Sequence, residues 1–246
     1  MAAPRAILFD FAGTLFAPRD PAERVADAAE QLGVGLDDRD ARDLAESYAR
    51  AGLPGGPYPA SIPGELESLY AERDLGPEQH RAAYVALLST VPGPSDGFAE
   101  ALYQQALRPE GWVPYLDTLA VLRALWRARV RVGLISNVGF DLRAILVGHG
   151  VRPLAERATL SFEHGLTKPD PALFALALTC VGATAAQTLM VGDHPVADGS
   201  AANMGIRTLL LPMSPAGSVH GLAHVLDLVR GERDSVLRPV DDLRGT

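Results

Sequence analysis

The sequence predicts an α/β fold: a doubly wound parallel-sheet core carrying an inserted all-helical domain. Two observations carry this. Short apolar runs that end in polar or acidic residues, at 6–9, 130–137 and 189–193, alternate with stretches of helical periodicity. Between about residues 18 and 108 no strand-like run appears, and apolar residues recur only at helical spacing. At 246 residues the chain is long enough for a core domain with such an insertion.

The first strand is Ala6-Ile7-Leu8-Phe9, apolar throughout and followed at once by Asp10 and a Gly13-Thr14 turn. A carboxylate at the end of a buried strand is costly unless a cation or hydrogen bonds compensate it, which makes Asp10 a site candidate. Helical periodicity then sets in. Val25, Ala28, Ala29 and Leu32 fall at i, i+3, i+4 and i+7, and Ala41, Leu44, Ala45 and Tyr48 repeat that spacing. Leu66, Leu69 and Tyr70 suggest a third helix, Pro77 opens a fourth that runs through Leu87 and Leu88, and Phe98, Ala101 and Leu102 mark a fifth. Residues 52–59, Gly-Leu-Pro-Gly-Gly-Pro-Tyr-Pro, are too rich in Gly and Pro for either element. They read as a surface connection between helices or as a substrate-facing loop, in which Tyr58 and the neighbouring arginines are the residues of interest.

Alternation resumes at Trp112. Leu116, Leu119, Leu122 and Trp126 stripe one helix, and residues 130–137 form a second buried strand ending in Ser136-Asn137. Leu142, Ile145 and Leu146 predict a helix closed by Gly148 and Gly150, and a short strand at 159–161 leads to Lys168-Pro169-Asp170-Pro171. A helix over 172–181 follows, then a strand at 189–193 ending in Asp193, and a last strand at 208–211. Residues 231–246 have little apolar content and read as a loosely held tail. No internal repeat is evident. In parallel sheets flanked by helices, ligands bind beyond the carboxyl ends of the strands, where Asp10, Ser136, Lys168 and Asp193 all fall.

Composition narrows the function. The formal net charge of -8, with acidic residues spread along the chain, argues against a nucleic-acid partner, which demands a basic surface. Asp10 interrupts the first apolar run, so neither a signal peptide nor a transmembrane helix fits the start of the chain, and no membrane association is expected. A lone Cys180 forms no intrachain disulfide, and both points favour the cytoplasm. Lys168 is the only lysine, so any other lysine-dependent chemistry is ruled out.

Four motifs occur in order: Asp10-x-x-Gly13-Thr14, Ser136-Asn137 after a strand, Lys168-Pro169-Asp170, and Gly192-Asp193 with Asp198 five residues on. Together they resemble the haloacid dehalogenase superfamily, whose members are mostly phosphatases with some carbon-halogen and carbon-phosphorus hydrolases. The resemblance implies a Rossmann-like core at 1–17 and 109–230, a helical cap at 18–108 and a tail at 231–246. It also implies Mg²⁺-dependent hydrolysis of a small phosphorylated metabolite, by a monomer or homodimer, through an aspartyl-phosphate on Asp10. By the same resemblance, Asp10, Asp193 and the backbone carbonyl of Ala12 hold the metal, and Asp198 acts through a bound water and orients Lys168 or the loop. Thr14, Ser136, Asn137 and Lys168 are then the phosphate-binding set. The chemistry is coherent, because a carboxylate attacking a phosphoryl group brings anion to anion and the site must supply positive charge.

Plainer roles are also open. Asp193 and Asp198 could cap a helix over 199–204, Ser136 and Asn137 could cap the helix after them, and His164 and His194 could be solvated loop residues or reach the site. One position departs from the phosphatase pattern: Ala12 stands where those enzymes carry the aspartate that protonates the leaving oxygen and activates water. Four readings follow. The enzyme acts on good leaving groups such as acyl or aryl phosphates, or borrows an acid from substrate or cap. It cleaves a carbon-phosphorus bond, although the insertion lacks the lysine that chemistry uses and arginine is no substitute. It is a dehalogenase, which the Gly192-Asp193 pair opposes. Or the site is attenuated, naturally or by replacement of an aspartate, and serves as a phosphometabolite-binding protein with vestigial activity.

Overall fold

The computed structural model describes residues 3–230, so the segment read as a tail, 231–246, lies outside the described residues. Among the described residues, seven strands form two sheets: β1 (Ala6–Phe9), β2 (Phe16–Pro18), β3 (Trp112–Pro114), β4 (Arg131–Ser136), β5 (Ala158–Leu160), β6 (Thr188–Gly192) and β7 (Arg207–Leu210). Five of them make a parallel sheet in the order β5-β4-β1-β6-β7. β1 lies at its centre and is buried along its whole length. Side chains on a strand alternate between faces, so an all-apolar strand needs cover on both sides. Ile7 and Phe9 join one core cluster with Val121, Leu122 and Leu125, while Ala6 and Leu8 join another with Leu173, Phe174 and Ala177. Each large apolar side chain so buried contributes about 1.5–3 kcal/mol.

The helices are α1 (Pro21–Leu32), α2 (Asp38–Ala51), α3 (Glu67–Ala71), α4 (Pro77–Leu88), α5 (Phe98–Gln105), α6 (Thr118–Arg127), α7 (Arg143–Gly148), α8 (Arg152–Ala155), α9 (Ser161–His164), α10 (Pro171–Val181) and α11 (Ala223–Arg230). Local chemistry sets several boundaries. The Asp20, Asp37 and Asp170 side chains accept backbone N–H groups at the starts of α1, α2 and α10, and a proline follows at the first turn of α1 and α10. α1–α5 surround a separate core that includes Val25, Tyr48, Leu87 and Leu102. Buried Arg24 tethers that core by donating to the carbonyls of Pro54 and Leu102.

Several sequence expectations need correction. The chain enters and leaves the helical insertion through an antiparallel ribbon of β2 and β3, which periodicity missed because each strand has three residues and ends in proline. The stripe predicted for α6 is displaced: Leu116 precedes the helix and is 66% exposed, and the buried face is Val121, Leu122 and Leu125. Asp117 fixes that start, accepting the backbone N–H groups of His220, Gly221 and Leu222 at 3.0, 2.9 and 2.7 Å. Leu32, at the end of α1, is exposed rather than packed. Leu66 belongs to a 3-10 turn, Gly64–Leu66, that precedes α3, and α8, α9 and α11 appear where no helix was expected. β5 begins and ends one residue earlier than expected, as does β7, and β4 stops at Ser136, leaving Asn137 in the loop. Among the described residues, no helix is long and apolar enough to cross a membrane.

Candidate active site

Asp10 leaves the carboxyl end of β1 with its N–H donated to the Val191 carbonyl of β6 at 2.9 Å. The chain then turns tightly, with the Phe11 carbonyl accepting from Leu15 and Phe16. Gly13 sits in the left-handed region at φ +78°, and any Cβ there would lie 2.6 Å from Asp193 Oδ2. Gly192 is constrained likewise, since its Cβ would lie 2.2 Å from the Asp198 carboxyl group. The two glycines let the β1 and β6 loops bring three carboxylates together: ligand oxygens of Asp10, Asp193 and Asp198 lie within 4.8 Å of one another.

Lys168 compensates them. Its Nζ donates to Asp198 Oδ1 at 2.6 Å, to Asp10 Oδ1 at 2.9 Å and to the Ile135 carbonyl at 3.2 Å, which uses all three ammonium protons. Burial alone would pull the lysine down, but the attraction of Asp10 and Asp198 outweighs it and holds the group charged well above its ordinary range. Asn137 holds the lysine backbone at both ends, accepting from Lys168 N at 2.7 Å and donating to Lys168 O at 2.9 Å. Its amide is therefore engaged with the lysine backbone, and both Asn137 and the buried Ser136 beside it line the cleft.

Asp198 is fully buried, and its second oxygen accepts from the N–H groups of Asp193 at 3.1 Å and His194 at 3.0 Å. It makes no side-chain cap to the 3-10 helix Gly199–Met204, so the capping alternative for Asp198 falls away. Asp193 is half-buried, and burial together with repulsion from Asp10 and Asp198 pushes its carboxyl up to about 7. Asp10 is raised as well, by burial foremost, with Lys168 opposing and Asp198 adding. Three carboxylates against one ammonium leave excess negative charge on hard oxygen donors, and a small divalent cation such as Mg²⁺ fits that donor set.

Not every expected residue arrives. Thr14 is fully buried, its hydroxyl finds no partner, and it does not line the cleft. His164 is exposed on α9 and lies outside the cleft. His194 does line it. Its Nδ1 accepts from Val196 N and Ala197 N at 3.2 and 2.9 Å, which places the ring proton on Nε2, and its ring meets Tyr58 edge-on at 5.6 Å. Residues 52–59 also line the cleft, and Tyr58 is 63% exposed.

The insertion also delivers residues that sequence reading passed over. Arg73 and Asp74, in the 3-10 turn Arg73–Leu75, line the cleft as an ion pair at 3.2 Å, with the guanidinium 4.0 Å over the Tyr70 ring. Adjacent opposite charges in a polar stretch look like solvated surface, yet Asp74 is only 8% exposed. Burial raises its carboxyl above the ordinary value although Arg73 and Lys168 pull the other way. The turn is docked on the core: the Ser161 hydroxyl donates to the Asp74 carbonyl at 2.6 Å and accepts from Val138 N at 2.8 Å.

Residues 4–205 match the haloacid dehalogenase-like hydrolase family. The haloacid dehalogenase-like hydrolase domain-containing protein 3 of Danio rerio is 32% identical over 130 residues, covering 52% of this chain and 54% of that protein, so the match spans about half of the relative. A phosphoserine phosphatase of Thermus thermophilus is 27% identical over 231 residues, covering 76% of this chain and 92% of that protein. Among solved structures, the magnesium-bound HAD-hydrolase YfnB of Bacillus subtilis superposes with a TM-score of 0.66 at 18% identity, covering 93% of this chain and all of that one. Structures of the same fold include both L-2-haloacid dehalogenases and a phosphatase.

Proposed function

The chain belongs to the haloacid dehalogenase-like hydrolase family, and on that premise we propose that it is a Mg²⁺-dependent phosphohydrolase acting on a small phosphorylated metabolite through an aspartyl-phosphate on Asp10. One observation carries the reading: ligand oxygens of Asp10, Asp193 and Asp198 lie within 4.8 Å of one another, and a single buried lysine bonds Asp10 and Asp198. Displacement of halide from carbon needs no cation and gains nothing from two further carboxylates beside the nucleophile. Phosphoryl transfer with a divalent cation uses such a cluster. The likeness to a phosphoserine phosphatase supports the same chemistry.

In this reading Lys168 holds Asp10 Oδ1, leaving the other carboxylate oxygen to attack phosphorus. Asn137 keeps the lysine in place through its backbone, and Asp198 locks both the lysine and the Asp193-His194 loop. Ser136 donates to a phosphoryl oxygen. Mg²⁺, held by Asp10, Asp193 and the Ala12 carbonyl, with Asp198 acting through water, would supply positive charge to the transferring group. The bond from phosphorus to the leaving group breaks as the bond to Asp10 forms, and water then hydrolyses the aspartyl-phosphate. Because Ala12 carries no proton, acyl and aryl phosphates are the substrates this loop handles unaided. The same alanine favours a second reading, a phosphometabolite-binding protein that turns over slowly.

Released phosphate from acetyl phosphate and p-nitrophenyl phosphate, measured with Mg²⁺ and again with chelator, tests the reading. Metal-dependent multiple turnover that Asp10→Asn removes is expected. A stoichiometric burst of nitrophenol with no continuing release of phosphate would favour the binding protein. Metal-independent halide release from a 2-haloacid would instead make the chain a dehalogenase.

A further inference from the structure

An alkoxide does not leave phosphorus readily without a proton, and position 12 has none to give. Four carboxylates line the cleft. Asp10, Asp193 and Asp198 gather on the core side, within 4.8 Å of one another, and the fourth, Asp74, comes from the insertion. In-line displacement puts the leaving oxygen on the side of phosphorus away from the nucleophile. Resting on the phosphohydrolase reading above, we propose that Asp74 is the acid that protonates the leaving oxygen and then the base that accepts the proton of the attacking water.

The surroundings of Asp74 suit both halves of that cycle. Burial favours its protonated form, while Arg73 at 3.2 Å stabilises the carboxylate left after proton transfer. The ionisable groups around it are Arg73, Tyr70 and Tyr84 from the insertion and Lys168 from the core. Its backbone is pinned to the core by Ser161, so the carboxyl group keeps a fixed relation to the β4 and β5 loops. His80, Tyr84 and Tyr58, which also line the cleft, are poorer donors. His80 is pushed down to about 3 by burial, so it carries no extra proton at neutral pH, and Nδ1 is engaged with the Tyr103 hydroxyl at 3.1 Å. Burial drives Tyr84 far above the ordinary tyrosine range, and Tyr58 is largely in solvent.

As Asp10 attacks, the bond from phosphorus to the leaving oxygen breaks and that oxygen takes the Asp74 proton, releasing an alcohol. In the second step water attacks phosphorus, its proton passes to the Asp74 carboxylate, and the bond from phosphorus to Asp10 breaks. Phosphate leaves, and both side chains return to their starting forms.

The test compares kcat/KM, which reads steps through loss of the leaving group, for β-glycerophosphate and p-nitrophenyl phosphate with Mg²⁺. Asp74→Asn is isosteric and leaves the Ser161 contact to the backbone intact. It should lower kcat/KM for the alkyl ester by ~10²-fold or more and for the nitrophenyl ester by less than ~10-fold. The alkaline limb of the alkyl pH profile should vanish in the variant. Asp74→Asn combined with Ala12→Asp should recover alkyl turnover by supplying an acid from the core loop. Equal losses on both esters, an unchanged alkaline limb, or wild-type turnover of the nitrophenyl ester with none of the alkyl ester would overturn the assignment and leave the phosphohydrolase reading standing. No metal-dependent phosphate release from either ester or from acetyl phosphate would overturn both.

Discussion

Lys168 shows how much rests on one side chain. With 4% of its surface exposed and three acceptors within 3.2 Å, it is the only cation in contact with Asp10 and Asp198 among the described residues. Removing one member of such a buried set strands the others, a cost of roughly 3–5 kcal/mol. Lys168→Met should therefore lower stability in metal-free buffer by about that amount in urea unfolding, as well as abolish phosphate release; an unchanged urea midpoint would mean that the carboxylates are already neutral. Asp10, Lys168, Asp193 and Asp198 were legible because each stands at a strand end or loop where a buried charge demands an explanation. Asn137 lines the cleft as the sequence leads one to expect, but the engagement of its amide by the Lys168 backbone, a pairing between residues 31 apart, is one that no local pattern records. Thr14 was singled out for phosphate, but its hydroxyl is buried away from the cleft.

At the scale of elements, long runs were legible and short ones were not. The apolar runs of β1, β4 and β6 and the periodic stripes of α1 and α2 declare themselves. β2 and β3 owe their pairing to a meeting of residues nearly a hundred positions apart, so nothing within either three-residue strand announces it. The docking of the insertion on the core was equally hidden. Gly139, in the loop after β4, approaches so closely that a Cβ would lie 2.3 Å from His80 Cβ and 2.4 Å from the Arg73 carbonyl, so the space belongs to backbone and cannot be cleared by a rotamer change. Gly139→Ala should hold the Arg73–His80 segment off the core. A drop of ~10-fold or more in kcat/KM with unchanged far-UV circular dichroism is expected, because a small displacement of positioning groups is costly. Full activity would show that this contact does not set the cleft geometry.

For the whole molecule, acid stability offers a separate check on the packing between the two cores. His80 is buried between Tyr84, Tyr103 and Phe140, and burial lowers it from 6.5 to about 3, with Arg73 adding to the effect. Between those values the unfolded chain binds a proton that the folded chain refuses. The contribution of His80 is complete above pH 6.5 and is lost as pH falls toward 3, by up to about 1.4 kcal/mol per pH unit. Asp193 works the other way in metal-free protein: held at about 7, it favours the folded state least once pH exceeds that value. The wild-type curve mixes the two, so the comparison with His80→Gln isolates the histidine. The variant's urea stability should fall less steeply from pH 6 to pH 4, and parallel curves would contradict a neutral, buried His80. Asp10 acting as a nucleophile toward phosphorus is the central expectation. Its most direct test is to mix the protein with acetyl phosphate and Mg²⁺, quench in acid, and map the digest by mass spectrometry. One added phosphoryl group on the peptide containing Asp10, absent with chelator and in Asp10→Asn, is the predicted result. Phosphate release with no modified peptide at any quench time, or a phosphoryl group on another residue, would contradict it.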